Sequence, residues 1–147
     1  MRDTFPISRA YAAVLLAWVI AQSIKILNHM RKHKRFDIRW IIDTGGMPSS
    51  HSSGTAAVAT VVGLFGGFDS IIFLLALFFA LVTMFDAASV RRSVGKQAVI
   101  LNRMIDEVHA QGTFSEQRLR AFLGHTPFEV VIGAILGTVI AYAVCVW

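Results

Sequence analysis

A single cysteine, Cys145, stands in 147 residues, so no disulfide framework can form within the chain. Charge is scarce as well. Asp, Glu, Lys and Arg make up 16% of the sequence, where a soluble domain carries about 25%. Apolar residues reach 55%. That balance excludes a disordered tail, a secreted disulfide scaffold and an ordinary soluble enzyme. The sequence has no internal repeat of standard period and no low-complexity segment. It also lacks a metal-ligand set. His29 and His33 have the four-residue spacing of a helical metal pair, but no third ligand accompanies them.

What charge there is leans one way. Fourteen Lys and Arg against nine Asp and Glu give a net charge of +5. In so apolar a chain this points to basic loops beside an anionic membrane surface rather than to nucleic acid.

Four apolar runs organise the chain. The run at 10–27 holds Lys25 as its only charge, and those at 53–68, 70–85 and 130–147 hold none. Crossing the hydrocarbon takes about 20 residues. Flanking residues extend the last two runs to 70–86 and 128–147. The expected fold is all-α: a single integral membrane domain over 1–147, with about four transmembrane helices and short amphipathic helices on the cytoplasmic side. The first run is read as a retained span, not a cleaved leader, because Lys25 and a basic stretch follow at once. Gly66-Gly67-Phe68-Asp69 predicts a tight turn between the second and third spans.

With four spans, both polar stretches, 28–52 and 86–129, fall on one side. That side then holds Lys25, Arg31, Lys32, Lys34, Arg35, Arg39, Arg91, Arg92, Lys96, Arg103, Arg118 and Arg120, leaving only Arg2 and Arg9 opposite. The positive-inside rule makes it cytoplasmic, in a multi-pass protein of the cell membrane. Within the second stretch, Val94, Ala98, Leu101 and Ile105 have helical spacing. Thr113 and Glu116 form a capping-box pattern that opens a short helix to Leu123.

Two places join a Gly-rich turn, a histidine and a helix start: 45–54 and 124–129. The first turn of a helix offers N–H groups and the positive end of the macrodipole, where phosphate binds. Two histidines there, among Lys and Arg, suit phosphoryl transfer without a metal or other cofactor. One histidine attacks phosphorus and the other protonates the leaving oxygen.

Gly46-Met47-Pro48-Ser49-Ser50-His51 resembles the central Pro-Ser-Gly-His motif of the type 2 phosphatidic acid phosphatases. Their superfamily includes acid phosphatases and vanadium haloperoxidases. Together with Asp86-Ala87-Ala88-Ser89-Val90-Arg91-Arg92, Gly95-Lys96-Gln97-Ala98, Leu101-Asn102 and residues 123–130, the chain resembles the small divergent branch of that superfamily over roughly residues 20–140. The resemblance implies a nucleophile at His125, an orienting acid at Glu129 and a general acid at His51. It implies phosphate binding by Lys25, Ser49, Ser50, Arg91 and Arg92, with support from Asp86, Arg118 and Arg120. The Arg-Pro pair that usually follows the motif-one lysine has no counterpart here, although Arg31 and Lys32 stand near its spacing.

The expected activity is hydrolysis of a lipid phosphate or diphosphate (phosphatidylglycerophosphate, phosphatidate or a polyprenyl phosphate) through a phosphohistidine. The alternative is a binding protein or flippase that holds lipid phosphates without hydrolysing them. Membrane lipids are expected partners and nucleic acid is not. The Gly-x-x-x-Gly patterns at Gly63/Gly67 and Gly133/Gly137 suit helix packing within the chain or in a homodimer.

Overall fold

The computed structural model describes residues 7–34, 36–38, 46–110 and 124–147. The elements are α1 (Ile7–His33), α2 (Ser50–Gly66), α3 (Ile71–Phe85), a π-turn (Asp86–Val90), α4 (Arg91–Ala110) and α5 (Pro127–Val146). All described regular structure is helical. α1, α2 and α5 pack on one another, while α3 lies against α2.

The interior is built from small residues. Ala13, Ala17, Ala21 and Lys25 repeat every fourth position and form the buried face of α1. Gly133, Gly137, Ala141 and Cys145 do the same on α5, with Val130 one turn before them. A Cβ added to Gly133 would collide with the Ser49 carbonyl oxygen, and one on Gly137 with that of Ser53. The α5 glycines thus let two backbones meet, and the α5 pattern is filled within the chain. Phe68 packs onto Gly63 in the same way. The largest fully buried side chains are Lys25, Ser49, Ser52 and Ser53. The large apolar side chains face outward: Ile71, Leu75, Phe78, Phe79 and Phe85 of α3 are all more than half exposed. This is the reverse of a water-soluble core.

The turn between α2 and α3 forms as expected. Gly67 takes φ +92°, and its N–H donates to the Gly63 carbonyl. Ser70 then caps α3 by accepting from the Phe73 N–H at 3.1 Å.

Three helical stretches are long and apolar enough to cross a membrane: Ile7–His33, Ile71–Asp106 and Pro127–Val146. The run at 53–68 is α2, but its 17 residues rise only about 26 Å, short of a ~30 Å hydrocarbon core. By length and composition three helical stretches among the described residues can cross, and the expected count of four is not shown. The spacing at 94–105 does form an amphipathic helix, α4, longer at both ends than the pattern. The second short helix, expected from Thr113 to Leu123, lies outside the described residues.

Candidate functional site

The elements carrying the candidate residues are tied together by hydrogen bonds to main-chain carbonyls at one end of the bundle. The Ser49 N–H donates to the Glu129 carbonyl at 3.2 Å, joining the starts of α2 and α5. The His125 N–H donates to the Ala87 carbonyl at 3.1 Å, joining the start of α5 to the π-turn. Asn28 Nδ2 donates to the Met47 carbonyl at 3.0 Å, joining α1 to the loop before α2. Gly46 needs to be glycine there. Its φ is +98°, and a Cβ would stand 2.6 Å from His29 Cε1 and 3.3 Å from Lys25 Cγ.

His125 is 2% exposed. Its Nδ1 lies 3.2 Å from Glu129 Oε2, and the same oxygen accepts the Thr126 N–H at 3.0 Å. Thr126 Oγ1 in return accepts the Glu129 N–H at 3.3 Å, closing a capping box. One carboxylate oxygen therefore both caps the helix and holds the imidazole. A carboxylate only accepts, so Nδ1 carries the proton, and in the neutral ring Nε2 then keeps its lone pair.

The two helix starts differ as anion sites. On α5, Pro127 has no N–H and Glu129 donates to Thr126. Only the Phe128 amide is left in the first turn, beside a carboxylate. On α2, Ser49 Oγ accepts the Ser52 N–H at 3.3 Å and the Ser52 hydroxyl at 3.0 Å. The amides of Ser50 and His51 precede the first intrahelical bond and meet no acid in the first turn. The start of α2, which carries no acid in its first turn, thus suits an anion better than the start of α5, where the imidazole stands.

The remaining candidates are placed as follows. Lys25 is 2% exposed on the inner face of α1, with its stem against Gly46. Ser49 and Ser50 are buried, Ser49 as the N-cap of α2. His51 is exposed in the first turn of α2. Asp86 opens the π-turn. Arg91 and Arg92 are the first two residues of α4, and their side chains lie outside the described set. Arg118 and Arg120 lie outside the described residues. His29 and His33 stack, with ring centroids 6.1 Å apart, and among the described residues no ligand-type cluster of three forms around them.

Three participants have no advance signal in the sequence: the Ala87 carbonyl, the Asn28 amide and the Ser53 hydroxyl, which donates to the Ala17 carbonyl at 2.9 Å. All are contacts to backbone groups, which residue identity does not announce.

The family described as the divergent PAP2 family matches residues 8–140. An uncharacterized membrane protein of Bacillus subtilis (strain 168), YuiD, is 35% identical over 144 residues, covering 90% of this chain and 89% of that protein. No solved structure matches.

Proposed function

The chain belongs to the divergent PAP2 family, and on that premise we propose that it is a metal-independent membrane phosphatase acting on a lipid phosphate or diphosphate. The observation that carries the proposal is the buried His125 whose Nδ1 is held by Glu129. A histidine so held presents Nε2 as a nucleophile, and the paired carboxylate stabilises the positive charge that develops on the ring.

His125 Nε2 attacks phosphorus in line, and the bond from phosphorus to the leaving oxygen breaks. His51 gives that oxygen a proton, and the lipid alcohol (or lipid monophosphate) departs. Water then attacks the phosphohistidine, His51 takes the water's proton, and the N–P bond breaks to release phosphate. The exposure of His51 and the burial of His125 suit these roles, since the acid must exchange protons with solvent while the nucleophile is kept in place. Lys25, Arg91, Arg92 and the amides of Ser50 and His51 neutralise charge on the non-bridging oxygens. Asp86, Arg118 and Arg120 have supporting roles.

In this reading the site faces the cytoplasm at the cell membrane. α2 completes a bundle of about four spans, and the lipid tails stay in the bilayer. The substrate is phosphatidylglycerophosphate, phosphatidate or a polyprenyl phosphate.

The test is phosphate release by the purified full chain in detergent with EDTA, from a panel of these lipids. Release from one of them, lost in His51→Ala and His125→Ala, is the expected result. Lipid binding without release from any member contradicts the phosphatase and leaves a binding protein or flippase.

A further inference from the structure

We infer that the π-turn Asp86–Val90, braced by Ser89, is a positioning element for the His125 imidazole. The inference rests on the phosphatase reading above. From Ile71 to Ala110 the chain is one helical run, interrupted only by this turn. A π-turn adds one residue to the helical turn and weakens its hydrogen-bond geometry. Such turns are rare and concentrate at functional sites.

Two carbonyl groups at the turn accept hydrogen bonds from outside the helical main-chain ladder. The Phe85 carbonyl accepts the Ser89 hydroxyl at 2.6 Å. The Ala87 carbonyl, on a residue only 4% exposed, accepts the His125 N–H at 3.1 Å. The first bond is local and braces the turn. The second crosses to the residue that carries the nucleophile.

His125 is therefore anchored from two sides. Glu129 fixes the ring relative to α5, and Ala87 fixes the main chain of the same residue relative to α3. The single extra residue also sets the rotation of α4, which starts at Arg91 and Arg92. Removing it would turn that helix by about 100° and shift it by about 1.5 Å. Ser89 is thus a positioning residue: it acts on the ring through the Ala87 carbonyl and touches no reacting atom.

Thr83 supplies an internal control. Its hydroxyl makes the same kind of bond, to the Phe79 carbonyl at 2.8 Å, but in the regular part of α3. The experiment compares Ser89→Ala, Ser89→Thr and Thr83→Ala in the full chain, using the panel lipid that the wild type hydrolyses fastest. Ser89→Ala should lower kcat about tenfold with KM unchanged, because a displaced nucleophile slows the chemical step while phosphate is still held by α2 and Lys25. Ser89→Thr should restore the wild-type rate, and Thr83→Ala should match it. The ring ¹⁵N resonances of His125 give a readout independent of turnover. They should show the Nδ1–H form in the wild type and in Ser89→Thr, and a mixture of tautomers in Ser89→Ala. Unchanged kcat and unchanged resonances in Ser89→Ala overturn the inference, as does an equal loss in Thr83→Ala. If the wild type releases no phosphate, the phosphatase reading fails. The resonances alone then decide whether the π-turn positions the ring.

Discussion

At the scale of single residues, the centre of the account is one oxygen atom with two tasks. Glu129 Oε2 closes the cap of α5 and holds His125 Nδ1. The two tasks can be separated by substitution. Thr126→Ala removes half of the capping box and should lower stability by about 1 kcal/mol while leaving turnover near wild type. Glu129→Gln keeps an acceptor for the Thr126 N–H but loses the charge that orients and stabilises the ring. Turnover should fall on the order of tenfold to a hundredfold with little change in stability. Thermal unfolding in detergent and phosphate release check both. This pair was legible in the sequence, because a four-residue spacing and a Thr-Pro-x-Glu start are local patterns. The exposure of His51, the burial of Lys25 and the N-cap role of Ser49 depend on which helix covers which, and no local pattern encodes that.

At the scale of elements, the site depends on two backbones being allowed to touch. A Cβ on Gly137 would collide with the Ser53 carbonyl. Gly137→Ala should push α5 away from α2 and lower stability by about 1–3 kcal/mol. It should also reduce turnover, because the bond from the Ser49 N–H to the Glu129 carbonyl sets the register between anion site and nucleophile. Unfolding and phosphate release measured on one preparation check the two effects together. The helices themselves were readable from hydropathy and from Gly and Pro punctuation, including the turn at Gly67. The π-turn was not. It is a register shift of one residue inside an apolar run that continues into an amphipathic one, and Asp-Ala-Ala-Ser-Val fits an α-helix equally well. Nor did hydropathy separate α2, with 17 residues, from the three longer apolar stretches.

At the scale of the whole molecule, small residues line the interior and large apolar ones cover the outside, which is the arrangement a bilayer demands. Among the described residues, Lys25, Ser49, Ser50, His51, His125 and Glu129 gather at the end of the bundle where α1 finishes and α2 and α5 begin, and Arg31, Lys32 and Lys34 stand at the same end. The proposed orientation puts it in the cytoplasm. Lys34→Cys, placed just after α1, should resist an impermeant thiol reagent in intact cells and react after lysis; labelling of intact cells would put the site outside. The central claim is that His125 becomes covalently phosphorylated. The most direct measurement is to mix the purified protein with ³²P-labelled lipid phosphate, quench within the first turnover and map the label. Acid-labile radioactivity on the peptide containing His125, absent in His125→Ala, is the predicted result. Steady phosphate release with no label on that peptide, or with label on another residue, would contradict the account.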